Sequence, residues 1–272
     1  MLNEEQRAIV ESSEREGPQK VEPLTYGSYM HVPELLALQT PLGSPPVPDE
    51  MLFIIVQQVQ ELWFKQILHD MKRVINLLEE RSILEAVPLI TRINHIMRAL
   101  GEEVGILERM PPQEFHRFRH VLTPSSGFES LQFREVELAS GLTDPTFIRI
   151  LTRLGNMAEL QLRWPTTLHD ALLANLASAD ADPVRAVMAV YAEHGRHQML
   201  FLLCEAMSDY EILFAEWRFR HVKLVERAIG DMAQGTAGSS GTGYLSKTLG
   251  YRFFPVLWEA RNRLSATATG HG

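Results

Sequence analysis

An imidazole and a guanidinium, each set among apolar residues at helical spacing, are the side chains of this sequence best arranged to do chemistry. In EWRFRHVKLVERAIG and the two residues before it, Phe214, Trp217, His221, Val225 and Ala228 recur three or four residues apart, which places His221 in the apolar stripe of a helix. A core histidine satisfied by hydrogen bonds and a metal or haem ligand both fit that placement. In FHRFRHVL, Phe115, Arg119 and Leu122 share a face at spacings of four and three. Arg119 either lays its methylenes on the core and reaches water, or aims a permanently charged planar fork into a pocket to clamp a carboxylate.

Other candidates are weaker. His116 and His120 lie four apart, but no HExxH pattern accompanies them and the intervening arginines repel a divalent cation. His194 and His197 lack the carboxylate partners of a di-iron bundle site. Both pairs read as solvated helix faces. The lone Cys204, in MLFLLCEAM, cannot form an internal disulfide and reads as a buried, inert thiol in a reducing compartment. The glycine-rich stretch Gly235 to Gly243 lacks the GxxxxGK[ST] spacing of a phosphate cradle, which leaves a linker or a mobile lid inside the folded domain.

The elements that would carry these residues are helices. A long one is expected from about Asp49 to Glu80, with Leu52, Ile55, Val56, Val59, Trp63, Ile67, Met71, Val74 and Leu78 inward and its first two turns buried on every side. Further helical patterns span about Val87 to Met110, a short stretch from Gln113, the segment after PSSGF up to its glycine stop, Thr146 to Ala158, and Pro183 to Gly230. No segment alternates at period two, so the expected fold is all-α and bundle-like, without internal repeats. One domain is expected over 21–265, flanked by mobile tails at 1–20 and 266–272.

The chain has 272 residues, 45% hydrophobic and 22% charged, enough to bury a real core. A net charge of −8 argues against nucleic acid or an anionic membrane surface as partner. The apolar runs LFIIV and MLFLLC are far shorter than the roughly 20 residues of a membrane span. MLNEEQRAIVESSEREG is acidic and unlike a signal peptide, so a cytoplasmic location is expected.

Taken together, the blocks LTYGSYMHVPELLALQTPL, DEMLFIIVQQVQELWFKQ, FRHVLTPSSGFESLQFREVE, EWRFRHVKLVERAIG, GTAGSSGTGYL and RFFPVLW resemble, in order, those of the tryptophan 2,3-dioxygenase family of haem enzymes. The stretch from about Thr143 to Val190 resembles it poorly and looks shortened. The resemblance implies an all-α domain that binds haem b, with His221 as the proximal iron ligand and Ser126, Trp217 and Leu122 beside the macrocycle. It implies that Arg119 holds the substrate carboxylate and Thr236 the amino acid backbone, and that Phe53 packs on the indole ring. Ile54, Ile55, Val56, Gln57 and Phe115 complete the implied substrate site, with Tyr26 and Tyr29 reaching a neighbouring subunit's site in a homotetramer.

The implied reaction opens the indole ring of L-tryptophan, or a close derivative, with O2 to give N-formyl-L-kynurenine. Two positions depart from the family pattern. Gln57 stands where typical members have a distal histidine; it can accept the indole N–H hydrogen bond but cannot take a proton at neutral pH. Phe115 stands where typical members have a tyrosine, a loss of one hydroxyl worth about 1 kcal/mol of net binding. The altered pocket leaves two alternatives: insertion of one oxygen to give a 2-oxindole, and a catalytically silent haem sensor.

Overall fold

The computed structural model describes residues 23–125, 129–153, 155–230 and 242–269, and among them every regular element is helical. The contacts divide the chain after Thr40, inside the span expected to form one domain. In the first unit two single-turn helices, α1 (Tyr26–Tyr29) and α2 (Val32–Leu35), contain no buried residue, so no core of their own forms there. A capping box holds α1: Ser28 N donates to Thr25 Oγ1 at 3.1 Å and Thr25 N donates to Ser28 Oγ at 3.0 Å.

The second unit is organised by three long helices: α3 (Pro48–Glu79), α4 (Ile83–Leu107) and, after six shorter α-helices and a 3₁₀ turn, α11 (Gln198–Ile229). The helix α4 packs along both of the others. Their apolar stripes fuse into one core that includes Ile67, Met71, Ile93, Met97, Leu203, Met207 and Phe214. The start of α3 is set by Pro48 in its first turn and by Glu50, which is buried and accepts from the backbone N–H groups of Leu42 and Gly43 at 2.7 and 2.9 Å.

The shorter elements are α5 (Pro112–Phe118), α6 (Leu131–Ser140), α7 (Pro145–Arg153), α8 (Met157–Arg163), α9 (Leu168–Leu176) and α10 (Pro183–Ala192), with α12 (Thr242–Thr248) and α13 (Pro255–Thr269) closing the chain. Ser130 caps α6, and Gly141, at φ 103°, ends it. The expected helix over Thr146 to Ala158 is two helices broken near Gly155, and that over Pro183 to Gly230 breaks between Ala192 and Gln198, where His194 and His197 lie. The final helix continues to Thr269, past the boundary expected at 265.

Burial on every side of the first turns of α3 does not occur. Met51 and Ile55 are 38% and 42% exposed, because only the stripe through Val56, Gln60 and Phe64 turns to the interior. Trp63, expected inward, sits at the rim, and its indole N–H donates to Glu103 of α4 at 3.0 Å.

Candidate active site

The stripe that carries His221 forms one wall of a cavity of about 420 Å³, and Trp217, His221, Val225 and Ala228 all face it. The imidazole lies nearly parallel to the Trp217 indole, with centroids 5.3 Å apart and planes 5° from parallel. Burial, helped by the positive charge of Arg134, pulls the His221 pKa down to about 4, so the ring is neutral at physiological pH and keeps a lone pair to give. No hydrogen-bond partner among the described residues claims it.

The α3 wall contributes Phe53, Gln57, Gln60, Glu61 and Phe64, residues at successive spacings of four, three, one and three that a helix brings to one side. That periodicity takes Ile54, Ile55 and Val56 away from the lining: Val56 is buried and Ile55 is exposed. Of the five consecutive residues 53–57 that the resemblance places at the substrate site, Phe53 and Gln57 line this cavity.

Phe115, Arg119 and Leu122 all reach the cavity. A small second core of Val47, Met110 and Phe118 supports them, and the Phe53, Phe115 and Phe118 rings meet with centroids 5.4 to 5.9 Å apart. The helix tightens to a 3₁₀ turn at Arg119–Leu122, since Thr123 precedes Pro124 and cannot continue the α-helical path. Tyr26 and Tyr29 are 78% and 69% exposed. Ser126 and Thr236 lie outside the described residues, as does the glycine-rich stretch up to 241; Ser125 lines the cavity next to the first gap.

Sequence reading missed the buried polar side of this site. Glu61, one helical turn beyond Gln57, accepts from Ser130 Oγ at 2.5 Å and Gln132 Nε2 at 2.8 Å, tying α3 to the start of α6. Arg134 and Arg218 both donate to Glu137, at 2.6 and 2.8 Å, and all three line the cavity. The i, i+3 spacing of Arg134 and Glu137 was the available signal, but nothing in the sequence links them to Arg218 81 residues away. Leu245 and Thr248 of α12 also reach the lining.

Other expectations can be checked directly. Cys204 is buried and its thiol is pushed up to about 12 by desolvation, an inert thiol as expected. His116 and His120 are exposed, and no group of three or more metal-ligating side chains occurs among the described residues. No helix among the described residues is long and apolar enough to cross a membrane.

The family model for tryptophan 2,3-dioxygenase matches residues 11–157 and 157–264. The chain belongs to the tryptophan 2,3-dioxygenase family. It is 40% identical over 254 residues to the tryptophan 2,3-dioxygenase of Nocardioides sp., a match covering 89% of this chain and 95% of that one. The enzyme of Herpetosiphon aurantiacus is 39% identical over 255 residues, covering 88% and 97%. That of Kineococcus radiotolerans is 35% identical over 264 residues, covering 89% and 92%. The all-α fold agrees with the family, and the residues present suit the haem that this family uses. One neutral imidazole shares the lining with Phe64, Phe133, Trp217 and Val225, and the cationic Arg119 reaches the same cavity, beside the cluster in which Arg134 and Arg218 pair with Glu137. Trp217 Nε1 and Arg218 Nε are buried there without a hydrogen-bond partner among the described residues, donors that a bound group can meet.

Proposed function

We propose that this protein is a haem-dependent oxidoreductase that opens the indole ring of L-tryptophan with O2 to give N-formyl-L-kynurenine. The observation that carries the reading is the single cavity into which a neutral His221, the Phe53 and Phe115 rings and the Arg119 guanidinium all face. His221 is the residue to hold the iron of haem b, and Trp217 and Leu122 flank it. Haem, when bound, supplies the site at which O2 is held and activated.

The protein's own groups bind and orient. Phe53 and Phe115 offer an aromatic wall to the indole, with face and edge contacts that fix its plane. Arg119 holds the amino acid carboxylate by a charge-assisted, two-pronged pairing, worth about 1.5–3 kcal/mol. Those two contacts fix both ends of the substrate, so the C2=C3 bond is presented in one orientation and the entropy of alignment is removed before reaction. Gln57 accepts the indole N–H and has no basic site for its proton; the indole nitrogen keeps its proton unless water or a substrate atom takes it. Thr236 and Ser126 are assigned to the amino acid backbone and to the cofactor side by the resemblance alone. A homotetramer in which Tyr26 and Tyr29 serve a neighbouring subunit, and a cytoplasmic setting for the reduced Cys204, complete the reading.

The test is the reduced, hemin-loaded protein with L-tryptophan and doubly labelled O2. A product carrying two labels is expected. A single label points to a 2-oxindole, and no turnover of any indole points to a sensor; either overturns the proposal.

A further inference from the structure

We propose that Trp217 is a positioning residue that sets the plane of the His221 ring by stacking on it, in place of the hydrogen bond that fixes most metal-binding histidines. The torsion that turns an imidazole about its stem has broad minima, so the side chain does not choose the ring plane by itself. A histidine that holds a metal almost always gives its second ring nitrogen to a carbonyl or a carboxylate, and that bond selects the tautomer and the plane. The described residues offer His221 no such partner. What they offer is a flat face: the Trp217 indole lies 5.3 Å from the imidazole between centroids, with the planes 5° apart.

The two residues are four apart on α11, a spacing at which helical side chains lie one above the other. Trp217 is itself held. It is 7% exposed, and the rings of Phe133, Phe214 and Phe64 surround it with centroids 4.9, 6.2 and 6.3 Å away, Phe64 meeting it edge-on at 84°. Those three rings come from α6, α11 and α3, so turning the indole would displace side chains of three helices in a close-packed core. The indole N–H has no part in that hold, because Nε1 is buried without a hydrogen-bond partner among the described residues. The stack therefore acts through the ring face.

A fixed plane means that the imidazole lone pair points into the cavity in one direction, and an iron held there meets one ring orientation in every molecule. A ring free to swing would meet it in several. The inference rests on the haem reading above. Trp217 also fills the core, and packing alone would explain a loss of stability on its removal. Orientation and packing are separable, because an equally buried ring that does not touch His221 contributes only the second.

The experiment measures hemin stoichiometry and then the ferrous iron–histidine stretching band by resonance Raman, in the wild type and in Trp217→Phe, Trp217→Leu and Phe253→Leu. Phe253 is a buried ring of the same core that packs on Phe214 at 4.9 Å. One band at a common position is expected for the wild type, Trp217→Phe and Phe253→Leu, and a split or broadened band for Trp217→Leu. An unchanged band in Trp217→Leu, the same broadening in Phe253→Leu, or Trp217→Phe following Trp217→Leu overturns the proposal. If Trp217→Leu does not fold, Trp217→Met, flexible and without a flat face, takes its place. Failure of the wild type to bind hemin sinks the haem reading itself. The stack is then judged in hemin-free protein by NMR relaxation of the His221 ring carbons, expected to be rigid in the wild type and Trp217→Phe and mobile in Trp217→Leu; equal mobility in all three overturns it.

Discussion

His221 is a ligand in waiting because two physical effects agree on its proton. Burial removes the hydration an imidazolium needs, and Arg134 adds a repelling charge, so the ring stays neutral down to a pKa of about 4. The folded value is depressed below the ordinary one near 6.5, so the unfolded chain binds the proton more readily. Stability is therefore complete above pH 6.5 and declines as pH falls from there toward 4. In haem-free protein, urea midpoints at pH 7.5 and pH 5 are expected to differ less for His221→Phe than for the wild type; equal differences would mean that the ring titrates normally. At the same scale, Gln57 and Phe115 were legible as departures from a pattern, while Ile54, Ile55 and Val56, which the resemblance sets with the substrate site, are not in the lining of this cavity.

Among the elements, α11 shows how one short stretch is distributed. Within Trp217 to His221, Trp217 stacks on the imidazole, Arg218 goes inward to Glu137, and Arg220 crosses to α4, where its Nη1 donates to the Gly101 carbonyl at 2.6 Å. The approach is close: a Cβ on Gly105 would lie 3.2 Å from Arg220 Nη2. The end of α6, which carries Arg134 and Glu137, depends on another glycine. Gly141 sits at φ 103°, and a Cβ there would lie 2.4 Å from His169 Cβ. Gly141→Ala combines a strained backbone with a clash against α9 and should cost on the order of 2–4 kcal/mol. Chemical denaturation measures it, and a loss under 1 kcal/mol would show that the α6–α9 junction gives way easily. The glycine stop was readable in the sequence; the neighbour that makes it obligatory was not.

For the molecule as a whole, the cavity is a surface shared by α3, α4, α5, α6, α11 and α12, so filling it should stabilise the fold that encloses it. A ligand that binds only the folded state at 100 times its Kd adds about 2.7 kcal/mol, which for a chain of this size raises Tm on the order of 5–10 °C. Hemin should give the wild type such a rise and His221→Ala little of it, by differential scanning calorimetry. An equal rise in both would place hemin elsewhere. The anchoring of α13 belongs to this scale too: Glu211 of α11 accepts from the backbone N–H groups of Phe253 and Phe254 at 3.0 and 2.7 Å and from Trp258 Nε1 at 2.7 Å, holding the last helix to the one that carries His221.

Periodicity in the sequence determined the all-α class, a long helix over about 49–80, a helical pattern running through to 230, the glycine stop at 141 and the apolar stripe that holds His221, because each is a local property written every three or four residues; the break between Ala192 and Gln198 was not read. The order of the quoted sequence blocks, rather than periodicity, pointed to the family and to the carboxylate role of Arg119. Only the tertiary structure decided which of residues 53–57 face the cavity, that Ile55 stays exposed, and that Glu137 is shared by two arginines. Those outcomes depend on how helices distant in sequence are rotated against one another, and the pairing of Arg218 with Glu137 across 81 residues leaves no local trace to read.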